Sequence, residues 1–307
     1  MWIGLACALA AGLMWGLVFV APLLLPEYPA ALLAVGRYLA FGLIALPLAL
    51  VDLRGLQRLS RADWLEAARL SLVGNFIYYL CLAAAIQRAG GPLPTVIIGT
   101  LPVVIAVCSN VGAGALPWRR LAPALALMLA GIACVNQVEL AALDAAELPR
   151  YLGGAALALV ALACWTWYPI RNAAWLRSHA DRQPRVWATA QGLVTLPMAL
   201  IGLLFFAAFS DFHPLLGPRP LTFVGLMLAV GLLASWLGTL CWNAASQRLP
   251  TGLLGQLIVF ETLSALAYAW LLHGRWPAPL TLLGAALLVG GVWLGLRAYR
   301  GSAASTG

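Results

Sequence analysis

FIYYLCLAAAIQR, residues 76–88, returns as WLGTLCWNAASQR, residues 236–248. At this offset of 160 the two share Leu80 with Leu240, Cys81 with Cys241, Ala84 with Ala244, Ala85 with Ala245, Gln87 with Gln247 and Arg88 with Arg248. That is six identities in thirteen positions, with a polar pair closing each apolar run. Weaker echoes flank the match: residues 29–35 resemble 184–190, and LAGI at 129–132 resembles VGGV at 289–292. Leu- and Ala-rich helices resemble one another by composition, but composition does not place Gln-Arg at the same point of the same ordinal segment. The chain is read as one unit used twice.

The surroundings of the repeat are apolar throughout. Of 307 residues, 63% are hydrophobic and 9% charged, against about 25% charge in a soluble domain. Ten apolar runs succeed one another: 2–25, 31–51, 64–87, 93–113, 121–138, 151–169, 186–209, 220–243, 251–272 and 278–298. Each approaches the ~20 residues that cross a hydrocarbon core as helix. A closed β-barrel would instead alternate polar and apolar residues over strands of about 10, and no such alternation is present. No Lys or Arg precedes the first run, which is too long for a signal core and is expected to stay as the first helix. Cys7, Cys81, Cys108, Cys134, Cys164 and Cys241 all lie inside apolar runs and none forms CxxC. They read as small buried side chains, with no disulfide, metal or other cofactor expected.

The net charge of +8 comes from arginine alone. In a soluble protein it would suggest nucleic acid; here it reports orientation. Thirteen arginines (54, 58, 61, 69, 119, 120, 171, 177, 182, 185, 248, 297 and 300) fall on one side of the ten crossings, while Arg37, Arg88, Arg150, Arg219 and Arg275 fall on or toward the other with the acidic stretch 139–147 and Asp211. The positive-inside rule then predicts both termini in the cytoplasm.

Two copies of five helices must enter the membrane in opposite senses, since five is odd. The predicted fold is all-α and integral to the membrane, ten helices in two inverted five-helix repeats around a central cavity: residues 1–143, then 144–300, with 301–307 as a disordered tail. Antiparallel repeats of this kind mark secondary transporters, although channels use them too. Several residues stand out as cavity candidates. Trp15 lies mid-membrane between Gly12 and Gly16, and Trp165, with Trp167 and Tyr168, is its counterpart in the second copy. Asn75, Tyr78, Tyr79 and Leu82 fall at i, i+3, i+4, i+7, one stripe of a helix. Ser235, Thr239, Trp242 and Ser246 mirror it, with Asn243 beside them. Packing between helices competes with cavity lining for every one of these. Thr95, Thr100, Pro102 and Asn110 mark a fourth run able to bend. Arg37 reads first as a side chain that snorkels outward or pairs with Glu27, and second as a substrate ligand.

Glu261 is the single acidic residue far from any helix end, with Gln256 just over one turn before it. An ionised carboxylate at this depth costs about 2.5 kcal/mol or more. Three roles compete for it: proton carrier, partner of a substrate ammonium, or protonated structural donor.

The motifs AGLMWG at 11–16, VGRYLAFGLIAL at 35–46 and TLPVVIAV at 100–107, with the Gly/Ala-rich repeat ends LAGI and VGGV, resemble the drug/metabolite transporter superfamily and its paired EamA-type repeats. The resemblance covers nearly the whole chain. FETLSALAYAWLL at 260–272 and NFIYYLCLAAAIQRAG at 75–90 are similar to the YddG-type exporters of aromatic amino acids. Most EamA repeats carry proline where Glu261 stands, and Pro102 keeps it in the first copy with one gap. The resemblance implies an inner-membrane carrier with cytoplasmic termini that exports small metabolites. Amino acids are then the expected partners, along with lipid and a proton-coupling ion; nucleic acid is not one, and the assembly is a monomer or homodimer. For that role Trp15, Tyr78, Tyr79, Trp165, Trp167 and Trp242 offer π-faces, while Asn75, Thr239, Asn243, Gln256 and Glu261 offer polar groups to a zwitterion. A multidrug or quaternary-cation exporter is the rival. An intramembrane enzyme is remote, because His179, His213 and His273 all lie in loops and no nucleophile-base pair sits at membrane depth. A channel would need a filter that is not visible.

Overall fold

A backbone in hydrocarbon has no water to bond, so each apolar run closes its hydrogen bonds internally as helix. The computed structural model describes residues 1–307 except 90–91, 112–114, 138–140, 142–147, 275, 277 and 304–307. The second-copy start at 144, Arg275 and part of the acidic stretch 139–147 lie outside the described residues. Among the described residues nine helices are long and apolar enough to cross a membrane. They are α1 (Trp2–Leu24), α2 (Ala30–Val51), α3 (Arg61–Ile86), α6 (Trp118–Val135), α7 (Tyr151–Ser178), α8 (Pro184–Phe209), α9 (Pro220–Ser246), α10 (Thr251–Leu272) and α11 (Pro279–Tyr299). The helix of α11 continues to Ala303, into the segment expected as tail.

The fourth apolar run differs from expectation: it forms two short helices, α4 (Pro92–Gly99) and α5 (Leu101–Ser109). Pro102 at the second position of α5 has no N–H to carry the ladder across the joint. Thr100 turns its hydroxyl back to the Ile97 carbonyl at 2.6 Å.

Two compact units are present. The first comprises Met1–Phe76, Arg171–Arg248 and Phe260–His273. Within it α2 packs along α8, and α1 along the second half of α9. Small residues let backbones meet: a Cβ on Gly42 would come within 2.8 Å of the Leu196 Cα, and one on Gly231 within 2.7 Å of the Ala40 Cβ. Polar side chains in this unit are buried and paired, as their depth requires. Asn172 donates to Asn243 Oδ1 at 2.9 Å and accepts from Trp187 Nε1 at 2.8 Å and Gln191 Nε2 at 3.2 Å. Trp187 stacks on Trp175 with ring centroids 3.5 Å apart. Arg171 pairs with Glu66 and Arg185 with Asp52, both acids almost fully buried. Arg219 clamps Glu27 through two bonds of 2.6 and 2.9 Å. The Arg219 guanidinium holds the Glu27 carboxyl below the usual carboxylate range, so this contact is present at neutral pH and is lost as pH falls through that lowered value.

The second unit comprises Ile77–Ile170, Leu249–Val259 and Gly274–Gly307. Here α6 packs along α11, and the first part of α10 along α5. A Cβ on Gly131 would lie 2.8 Å from the Gly284 carbonyl. Gly154 of α7 sits against Ala89 at the end of the α3 helix.

The chain passes between the units five times, each time where helical bonding is interrupted. The crossings come at the end of a π-helical turn at Leu72–Ile77, at Pro169, at the turn 247–249 before Pro250, at the break at Ile258, and at His273 ahead of Gly274 with φ +63°. A second π-helical turn, Gly231–Leu237, interrupts α9. The offset of 160 carries residues 72–77 onto 232–237, so both turns stand at the same place in the repeated sequence. The units interleave segments from both expected repeats.

The close approaches carry a stability prediction. Gly42→Leu and Gly131→Leu should each cost about 1–3 kcal/mol from overpacking and lower the melting temperature of the purified protein. Gly225→Leu, where an added Cβ meets nothing within 4 Å, should leave it unchanged. Three equal melting temperatures would contradict backbone contact at these glycines.

Candidate functional site

The first unit holds the tightest cluster of sequence candidates. Gly12 and Gly16 bring α1 onto α10: added Cβ atoms would stand 2.8 Å from the Phe260 Cβ and 2.6 Å from the Ser264 Cβ. These are residues i and i+4 of α10, one stripe against another. The same approach sets the backbone of Glu261 beside Gly12. Tyr268 adds a hydrogen bond from its hydroxyl to the Leu13 carbonyl at 3.0 Å.

On the neighbouring face α1 meets α9. A Cβ on Gly238 would touch the Trp15 indole nitrogen at 2.8 Å, so the ring occupies the space a side chain there would fill. One turn on, Trp242 meets Trp15 with ring centroids 5.0 Å apart and planes tilted by 44°, within the range of an aromatic pair. Both tryptophans and Thr239 are buried. The Trp242 indole N–H has no hydrogen-bond partner.

Arg37 comes to the same region from α2. It was expected to snorkel or to pair with Glu27, but Arg219 occupies Glu27, and Arg37 turns inward to donate from Nε to Ser235 Oγ at 2.9 Å. Ser235 lies inside the π-helical turn of α9. Such a turn adds a residue to the helical ring and re-aims the side chains around it, and it recurs at functional sites. Glu261 is half-buried, no described residue hydrogen-bonds or ion-pairs with it, and the charge that acts on it is Arg37. Arg37, Ser235, Glu261, Trp15 and Trp242 thus all belong to one unit.

Other candidates are placed differently. Asn243, also in the first unit, is fully buried, and its amide is taken by Asn172 and by the Pro184 carbonyl at 3.4 Å. Asn75 is half-buried within the first π-helical turn. Tyr78, Tyr79, Trp165 and Gln256 belong to the second unit. There Tyr78 stacks on Trp165 at 5.2 Å with planes inclined by 25°, and Trp165 stacks parallel to Tyr168 at 5.1 Å. Trp167 points away and is exposed. Gln256 is fully buried against Gly295. The described residues contain no group of three or more His, Cys, Asp or Glu arranged to hold a metal.

The Arg37–Ser235 contact was missed by sequence reasoning, although one signal was available. Ser235 stands at the offset of 160 from Asn75, so each π-helical turn carries a polar residue at the same position.

The comparisons with known proteins agree with this architecture. The EamA-like transporter family matches residues 2–137. The inner membrane protein YtfF of Escherichia coli (strain K12) is 54% identical over 305 residues, covering 96% of this chain and 95% of its own. A solved crystal structure with 18% identity covers 97% of this chain and 98% of its own with a TM-score of 0.78, which carries the fold alone. A full-length relative at this identity, an all-helical fold and the family match agree, and the chain belongs to the EamA-like transporters of the drug/metabolite transporter superfamily.

Proposed function

We propose that this inner-membrane transporter exports neutral amino acids, aromatic ones foremost, by alternating access. The observation that carries the reading is a half-buried carboxylate and a half-buried guanidinium in one unit, in electrostatic reach of one another, beside a pair of tryptophans. Two charges at membrane depth without a direct contact are expensive. A zwitterion neutralises both: its ammonium goes to Glu261, its carboxylate to Arg37, and an aromatic side chain to the faces of Trp15 and Trp242.

Asymmetry between the two copies supports this assignment. Pro102 stands where Glu261 would fall in the first copy, allowing one gap, and the offset of 155 that relates residues 29–35 to 184–190 puts Gly192 where Arg37 would fall in the second. A duplication that retained both charges only for packing would be expected to keep them twice. Here each charge occurs once, and the two face the same region.

Counting α4 and α5 as one crossing gives ten, which an inverted pair of five-helix repeats with cytoplasmic termini requires. Two observations support that topology. The π-helical turns fall at equivalent positions. The packing pairs also map onto themselves when the copies are exchanged, since α2 with α8, α6 with α11, and α5 with α10 each join corresponding helices. The remaining candidates, Asn75, Tyr78, Tyr79, Trp165, Thr239, Asn243 and Gln256, stay in the proposal as residues of the transport path or its supports.

A quaternary-cation exporter would use the tryptophan pair and Glu261 equally well, but Arg37 would repel its substrate. Uptake into liposomes holding the purified protein decides between them. Labelled Phe and Leu should exchange and a cationic dye should not; dye uptake without amino-acid exchange would overturn the assignment.

If Glu261 carries the coupling proton, Glu261→Gln should make amino-acid transport indifferent to an imposed pH gradient, whereas unchanged gradient dependence removes that role. Trp242→Ala should raise the half-saturating Phe concentration about tenfold. Alanine at Leu129 or Val289, exposed on α6 and α11, should leave it alone; equal effects at all three would mean that Trp242 only packs.

A further inference from the structure

A pocket of about 210 Å³ opens where α2 ends and α8 begins, at the level of the membrane boundary rather than inside the crossing. Its lining includes Arg54, Arg58, Arg182 and Arg185, with Asp52 and Asp181 as the acids. Every lining residue belongs to the first unit.

The charge in this pocket is not balanced from within. Asp52 is consumed: it accepts from Arg185 Nε at 2.7 Å and from the Thr189 hydroxyl at 2.8 Å. Asp181 is largely exposed and stands 3.6 Å from Arg182 Nε, too far for a hydrogen bond. The Arg182 Nε is buried and has no hydrogen-bond partner at all, an expensive condition for a charged donor. Arg54 and Arg58 are exposed and make no ion pair among the described residues. The start of α8 adds to the positive field: Gln183 caps the helix without a side-chain bond and Pro184 has no N–H, so the N–H groups of Arg185 and Val186 are the first without an intrahelical partner.

We infer that this pocket binds a phosphate anion, and that the phosphate is the headgroup phosphodiester of an anionic phospholipid. Arginine presents its donors as a fork that matches phosphate oxygens, and the open helix terminus supplies backbone donors of the same kind. A headgroup is the source that fits the placement, because the pocket lies between the ends of two membrane spans, where basic clefts collect anionic lipid. The bound phosphate would offset the excess positive charge of Arg54, Arg58 and Arg182 and tie the loop after α2 to the start of α8.

The experiment measures the melting temperature of the full-length protein in vesicles of phosphatidylcholine alone and of phosphatidylcholine with phosphatidylglycerol, then in phosphatidylcholine with inorganic phosphate. Phosphatidylglycerol should raise the melting temperature of the native protein, and R54Q/R58Q should lose at least about half of that rise. R119Q/R120Q removes the same charge from exposed arginines outside the pocket and should keep the rise in full. Native mass spectrometry should show one phosphatidylglycerol retained by the native protein and by R119Q/R120Q, and not by R54Q/R58Q. Equal losses in the two double variants would overturn the site in favour of general surface charge. An equal rise with inorganic phosphate would overturn the lipid as its source, and no rise with either would overturn the pocket as an anion site.

Discussion

The absence of water in a bilayer core makes every polar group there account for itself. Most polar side chains of the first unit do so by pairing. Asn172, Asn243, Gln191 and Trp187 are joined by hydrogen bonds, and Asp52 and Glu66 hold arginines. The groups left without direct partners therefore carry the information. Glu261 has none, and Arg37 spends one donor on Ser235 while its charge acts on Glu261. In the proposed function the missing partner is the cargo.

Glycine sets how these groups come together. Gly12 and Gly16 let α10 lie directly on α1, and Gly238 leaves room for the Trp15 ring next to Trp242. Interruptions of the helices shape the rest. The π-helical turns, Pro169 and the break at Ile258 give up backbone bonds within otherwise regular crossings, and three of these mark where the chain leaves one compact unit for the other. Irregular backbone inside a membrane is tolerated where protein or cavity surrounds it, so these positions are natural places for a carrier to bend. The two π-helical turns stand 160 residues apart, the same offset that relates residues 76–88 to 236–248.

Much of the architecture was legible in advance because run length and polarity determine whether a segment crosses a membrane. Nine runs folded as expected, and Pro102 marked the one that breaks. Side-chain direction was harder to read. The stripe Asn75, Tyr78, Tyr79, Leu82 assumes regular helix, yet Asn75 lies inside the π-helical turn and Tyr78 beyond it; an added residue rotates the later side chains about the helix axis by about 100°. The stripe is divided between the two units accordingly. Asn243 looked available because its partner, Asn172, lies 71 positions away. Arg37 looked bound for the surface because nothing local announces that Arg219 takes Glu27. Depth along a helix comes from counting residues; which neighbour consumes a polar group depends on packing that no single segment encodes.

In the proposed function Arg37 and Glu261 bind opposite ends of one zwitterion. Affinities of the native protein, Arg37→Gln and Glu261→Gln for phenylalanine, phenylalaninamide and N-acetylphenylalanine test it most directly. The native protein should prefer phenylalanine to both derivatives by about tenfold or more, the worth of one charged hydrogen bond. Arg37→Gln should erase the preference over the amide alone, and Glu261→Gln the preference over the acetylated form alone. If both variants keep the native order of affinities, the two charges do not hold the substrate and the account is wrong.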